Sequence, residues 1–162
     1  MNASASPLDR AFSALAYVMP LASALDAGSY FFRFLASQAP PLLNIIRLIL
    51  LPLEPLIAIE NSIWGLGVFI LLFLFVIRNE KISRFIRFNV LQAILVSFVI
   101  SITLLVLGLL QLTGDNLIGE TLSNVMFLGG MAIVIYSVAQ SVLGRYAEIP
   151  TISDAVNMQM PY

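Results

Sequence analysis

The sequence contains no cysteine and no histidine, and only 10% of its 162 residues are charged. Without cysteine there are no disulfides, thiol nucleophiles or cysteine-held structural zinc; without histidine the side chain most used for proton transfer near neutral pH is gone. No Cys–His pair, Ser–His pair or histidine-based zinc-protease site can be drawn from this chain. Eight Lys and Arg against nine Asp and Glu leave a net charge of −1. The chain therefore offers no basic field to nucleic acid and no acidic one to cationic substrates. Gly65-Leu66-Gly67 lacks the third glycine of a dinucleotide-binding loop. No catalysis, cofactor or metal is expected.

Apolar residues are abundant, at 60% of the chain with a mean hydropathy of +0.98, where a soluble domain averages about 45–50% apolar and about 25% charged. So short a chain has too little interior to hide that surface from water, so lipid is the solvent. The charge-free stretches are Ala11–Leu25, Asn61–Ile77, Phe88–Gly114 and Thr121–Gly144. A helix needs about 20 apolar residues to cross the hydrocarbon layer. The last two stretches qualify outright, and Asn61–Ile77 qualifies at the short limit with Leu56-Ile57-Ala58-Ile59 ahead of an interfacial Glu60.

Ala11–Leu25 is short and contains Pro20. Its Ala22-Ser23-Ala24 resembles a signal-peptide cleavage site, but Asp9 cancels Arg10 and leaves no positive flank. A retained, Pro-kinked first helix is the preferred reading, with Ala14, Ala16, Ala22, Ser23 and Ala24 set for close helix contacts. After it, Tyr30-Phe31-Phe32-Arg33-Phe34 is an aromatic cluster of the kind found at membrane surfaces. Leu42–Leu51 carries Asn44 and Arg47 on one helical face and is expected to stop at Pro52 and Pro55. Ten residues are too few to span, so this is read as an interfacial amphipathic helix or a lid on the end of the bundle.

The fold expected is an all-α integral membrane protein of four transmembrane helices, spanning about 10–28, 58–77, 87–112 and 120–144. An interfacial segment at 30–55 separates the first two spans, and a tail, 146–162, follows the membrane domain. Arg78, Lys81, Arg84 and Arg87 crowd one connection and set the topology. With four spans Arg10 and Arg145 join them, Arg33 and Arg47 lie opposite, and both termini face the cytoplasm or stroma. Asp115, Glu120, Glu54 and Glu60 then fall near the other surface.

At 100° per residue the third span shows two faces. Ser97, Ser101 and Gly108 make a small-residue seam; Asn89, Gln92 and Thr103 lie on another face, and amides in hydrocarbon need partners. In the fourth span Gly129, Gly130, Ser137, Gln140, Ser141 and Gly144 share one side, with Met131, Val134, Ile135, Val138 and Val142 turned to lipid. Asn89, Gln92, Thr103 and Gln140 either hydrogen-bond helix to helix or line a polar groove. No span carries an ionisable residue in its central part, which argues against ion-coupled carriers and against proteolysis by an aspartate pair. In the tail, Thr151 or Ser153 can cap a short helix through Asp154-Ala155-Val156, and the last residues are either disordered or a docking peptide.

Three segments carry a resemblance. Ala16-Tyr17-x-x-Pro20 with Asp26, the run Phe85 to Leu95 with Arg87-Phe88-Asn89 and Gln92-Ala93 at its centre, and Ile149-Pro150-x-Ile152-Ser153-x-Ala155-Val156-x-x-Gln159 resemble the 20-kilodalton membrane subunit of the chloroplast inner-envelope protein translocon and its cyanobacterial and plastid-encoded relatives. The resemblance covers essentially the whole chain. It implies four membrane helices, both termini in the stroma or cytoplasm, and a part in preprotein import. Partners would be other translocon membrane subunits, preprotein and lipid, in a homo- or hetero-oligomer, because one solid four-helix bundle encloses no polypeptide-sized pore. Plant members carry a transit peptide ahead of this region, and Met1–Ser6 is too short to be one. That points to a cyanobacterial or plastid-encoded copy, in the cell or thylakoid membrane or in the inner envelope. The alternatives are a structural or assembly subunit of another membrane complex, with the amphipathic segment and tail as its interface, and a small-solute channel.

Overall fold

The computed structural model describes residues 5–113 and 116–160. All regular structure among the described residues is helical: α1 (Pro7–Ala16), α2 (Val18–Ala27), α3 (Ser29–Gln38), α4 (Pro40–Leu50), α5 (Glu54–Glu60), α6 (Ile63–Leu71), α7 (Arg84–Leu109), α8 (Leu117–Val142) and α9 (Ile152–Gln159). A 3₁₀ turn, Leu51–Leu53, joins α4 to α5, and a π-helical segment, Leu72–Ile77, continues α6.

The first helix starts on a capping box, in which the Ser6 hydroxyl accepts from the Asp9 amide and the Asp9 carboxylate accepts from the Ser6 amide. It breaks at Tyr17, between α1 and α2. Pro20 explains the break, because it has no N–H to give the carbonyl four residues back, at Ala16, and its ring crowds that oxygen. α2 then runs to Gly28, where the axis bends by 67° into α3.

α1 and α2 pack along both α7 and α8, so the first helix occupies the centre of the bundle. Tyr17, Leu21, Ala93 and Val134 form one buried cluster, and Met19, Phe88, Leu91, Ile94 and Val156 belong to another. Around this core a long row of large apolar side chains is exposed, among them Ile63, Trp64, Leu105, Leu117 and Ile135. Among the described residues three helices are long and apolar enough to cross a membrane: Pro40–Glu60, Arg84–Leu109 and Leu117–Val142. The bent pair Pro7–Ala27 with Ser29–Gln38 makes a possible fourth.

The segment after Pro40-Pro41 differs from expectation. Pro52 and Pro55 do not end it; the chain stays helical for 21 residues, Pro40–Glu60. Each proline sits in the first turn of a new piece, Pro52 in the 3₁₀ turn and Pro55 in α5, where a missing N–H leaves no bond unmade. The chain turns instead at Asn61-Ser62, where the Ser62 hydroxyl caps α6 by accepting from the Trp64 amide. Gly65 is required there: any Cβ at 65 would run into the Glu60 carbonyl oxygen. Ile63–Ile77 is a shorter apolar helix. The aromatic cluster closes the far end of the bundle. Phe31 and Phe32 pack on Phe127 with ring centroids 4.9 and 5.3 Å apart, and the Tyr30 hydroxyl donates to the Thr113 carbonyl at 3.1 Å. Asp115 lies outside the described residues.

Candidate functional site

Polar side chains buried in an apolar bundle need partners, and here they find one another. The Tyr17 hydroxyl donates to Asn89 Oδ1 at 3.0 Å, and the Ser141 hydroxyl donates to the same oxygen at 3.0 Å. Asn89 Nδ2 donates to the Phe85 carbonyl of its own helix at 2.8 Å. Gln92 Nε2 donates to the Tyr17 oxygen and to the Ala147 carbonyl, both at 3.2 Å. The Ser153 hydroxyl accepts from the Ile149 amide at 2.7 Å and stands 3.1 Å from both Gln92 Oε1 and the Ala147 carbonyl, its acceptors. One network therefore ties α1/α2, α7, α8 and the tail together.

Asn89 and Gln92 are wholly inaccessible, and their side chains bond across to the first helix, α8 and the tail. Thr103 and Gln140 stand apart from them. The Thr103 hydroxyl donates to the Val99 carbonyl one turn back at 2.7 Å, and Gln140 Oε1 is buried without a partner among the described residues, as are Ser137 Oγ and Ser13 Oγ. Tyr17 carries part of the resemblance, and Ser153 carries part of it and is a candidate helix cap. Their roles were hidden because a tyrosine hydroxyl and a tail serine acquire partners only when segments 72 and 61 residues distant meet.

The small-residue seams are also divided. Ser97 and Ser101 meet Ser23, with Oγ to Oγ distances of 2.8 and 3.2 Å. Gly108 has only its own chain's Thr113 hydroxyl, 4.0 Å from where a Cβ would stand, and packs no helix. Gly130 is packed, with Ala24 Cβ 2.9 Å from its missing Cβ, whereas Gly129 has nothing within 4 Å. Ser137 and Ser141 are buried. Gly144 holds φ +72, which ends α8, and the Arg10 guanidinium lies over it. Val134, expected to face lipid, is buried at 5% exposure. The buried stripe of α8 runs Ser123, Phe127, Gly130, Val134, Ser137, Ser141 in steps of three and four, so it follows position on the helix and disregards polarity.

Arg78 and Lys81 lie in the connection between the π-helical segment and α7, and Arg84 and Arg87 in the first turn of α7, where Arg87 Nε donates to the Ile77 carbonyl at 2.8 Å. The Ser83 hydroxyl donates to Asp9 Oδ1 at 3.0 Å, joining that connection to the start of α1. Tyr146 packs edge-on against Phe85 and Phe88, and burial pushes its phenol above the usual range although Arg84 draws it back. The tail packs on the bundle through one side, with Ala147, Ile149, Val156 and Met160 buried and Met158 exposed. Thr151 precedes α9 with φ 68 and makes no side-chain cap, and Ser153, inside the helix, instead accepts from the Ile149 amide ahead of it, so neither expected cap forms.

A second polar feature lies where α5 turns into α6. A cleft of about 340 Å³ is lined by Ser23, Ser97 and Ser101 together with Asp26, Glu60 and Asn61, and Asn61 Nδ2 donates to Asp26 Oδ1 at 3.0 Å. Asp26 is exposed and Glu60 half-buried, so the cleft sets two carboxylates beside the three serines.

This is the architecture of a helical membrane protein with three or four candidate crossing helices, in which Tyr17, Asn89, Gln92, Ser141 and Ser153 form one buried hydrogen-bonded network. The family model described as "Chloroplast import apparatus Tic20-like" matches residues 7–156. A Tic20 family protein of Synechocystis sp. is 44% identical over 165 residues, covering 99% of this chain and 98% of that one. A Tic20 family protein Ycf60 of Porphyra purpurea is 30% identical over 93% of this chain and 75% of its own, and protein TIC 20-II, chloroplastic, of Arabidopsis thaliana is 28% identical over 94% and 72%. The chain belongs to the Tic20 family. The resemblance drawn from Arg87-Phe88-Asn89 and its companions is therefore correct, and the matched relatives come from cyanobacteria, red algae and a plant chloroplast.

Proposed function

We propose that this protein is a membrane subunit of a preprotein translocon, acting with partner subunits or further copies of itself. Family membership carries the reading. The geometry supports the need for partners, since the centre of the bundle is filled by Tyr17, Gln92, Ile94 and Val96, each at most 1–2% exposed, and leaves no passage for a polypeptide. Four crossings agree with the end-to-end contacts. Asp9 meets Ser83, Arg10 lies over Gly144, and Arg87 meets Ile77, so the start of the first helix, the basic connection and the exit of α8 share one end. The basic residues make that end cytoplasmic or stromal.

Site-specific photo-cross-linking in the native membrane tests the reading. Probes at exposed α7 and α8 positions, such as Ile102 and Ile135, are expected to capture translocon subunits or a precursor arrested in transit. Capture of only the subunits of another membrane complex rejects it and makes the chain a structural or assembly subunit there.

A further inference from the structure

A cavity of about 490 Å³ opens between the π-helical segment, the first turns of α7 and the end of α9. Its polar walls are Arg78, Arg87, Glu80 and Gln159, and its apolar wall includes Phe73 and Leu91. The local backbone builds it. In the wide π turn the Arg78 amide donates to the Phe73 carbonyl, five residues back, at 3.2 Å. The Ile77 carbonyl is taken by Arg87 Nε at 2.8 Å. That bond fixes the guanidinium by one of its donors, and its two terminal NH₂ groups carry four more. Two guanidiniums in one cavity, one of them anchored, are an arrangement suited to a tetrahedral oxyanion.

The apolar side says what carries the anion. Phe73 continues into Leu74 and Phe75, which are exposed on a segment without a charge from Asn61 to Ile77, so the cavity runs from a basic connection directly onto surface suited to hydrocarbon. We propose that it binds the headgroup of an anionic membrane lipid, with Arg78 and Arg87 on the phosphate and an acyl chain along Phe73 and Leu74. Glu80 stands in the same wall and repels a bare anion, leaving the two arginines one positive charge in excess. Glu80 and Gln159 together favour a headgroup with hydroxyl donors beside the phosphate, as in a phosphatidylglycerol. Free inorganic phosphate shares the anion chemistry and lacks the chain.

Native mass spectrometry of the full-length protein, released from bilayers of defined phosphatidylglycerol and phosphatidylcholine content, reads the occupancy. Phosphatidylglycerol is expected to be retained over phosphatidylcholine. Arg78→Gln is expected to lower that retention about fivefold, the worth of one basic residue at an anionic surface. Lys81→Gln removes the same charge outside the cavity walls and is expected to change retention less than twofold. Arg78→Lys keeps the charge and loses the planar fork, so a built site loses about half its retention or more; it also serves should Arg78→Gln fail to fold. Equal losses for Arg78→Gln and Lys81→Gln, or full retention in Arg78→Lys, mean diffuse surface attraction and overturn the proposal. Complete displacement by inorganic phosphate at the lipid's concentration overturns the lipid assignment.

Discussion

Tyr17 and Asn89 are joined across 72 positions of sequence by a 3.0 Å hydrogen bond, from the tyrosine hydroxyl to the amide oxygen, and the tyrosine oxygen in turn accepts from Gln92. The residue at the break in the first helix thereby organises both amides of α7. Tyr17→Phe is expected to destabilise the protein by about 1–2 kcal/mol, because one acceptor and one donor lose a partner in a buried place. Asn89→Ala should cost more, since the Ser141 hydroxyl loses its acceptor as well. A double-mutant cycle read by thermal unfolding in detergent should show the pair coupled by about 0.5 kcal/mol or more. Strict additivity would mean that the bond contributes nothing.

Adjacent glycines should respond oppositely. A Cβ at Gly130 would lie 2.9 Å from Ala24 Cβ and 3.1 Å from Ile100 Cδ1, whereas at Gly129 it meets nothing. Gly130→Ala is expected to force the first helix away from α8 at a cost of about 1–3 kcal/mol. Gly129→Ala should be neutral or stabilising, because it removes backbone freedom from an exposed helical position. Melting temperatures of the two variants check the contrast.

The tail should behave as part of the fold. Deleting 146–162 strips Gln92 of its Ala147 and Ser153 partners and uncovers the cluster that holds Val156. The truncated chain is expected to be markedly less stable and to aggregate in mild detergent. The milder Val156→Asp buries a charge without a partner and should cost several kcal/mol. Limited proteolysis that cuts the native tail as fast as the unfolded chain would contradict this.

Gly144 occupies the left-handed region at φ +72 with the Arg10 side chain over it. Gly144→Ala is expected to cost about 1–2 kcal/mol from backbone strain, and more if Arg10 must move. Arg10→Gln combined with Gly144→Ala should recover the steric part alone, read as the difference between two unfolding midpoints.

Much of the fold can be read from polarity. Long charge-free runs predict α7 and α8, Ser83 and Asn116 stand at their N-termini, and the crowding of basic residues at 78–87 marks one end. The site was legible only in part. Asn89 and Gln92 stand out because amides are rare in such a run, but Thr103 and Gln140 stand out equally and join nothing there. Helical angle tells which residues share a face, and it is silent about which face another helix covers. The same limit explains Val134 and Gly129, one apolar and buried, the other small and exposed.

The amino-acid sequence alone determined the solvent, the helical class and the family, because transfer of apolar residues into lipid and the obligation to satisfy backbone groups there depend on composition and run length. Tertiary structure decided the rest. The first helix became the centre of the bundle, the tail became a wall of it, and Pro52 and Pro55 were passed while Asn61-Ser62 became the turn. These outcomes rest on which small residues let two backbones approach and on which buried polar atoms found partners, quantities that exist only once distant segments are side by side.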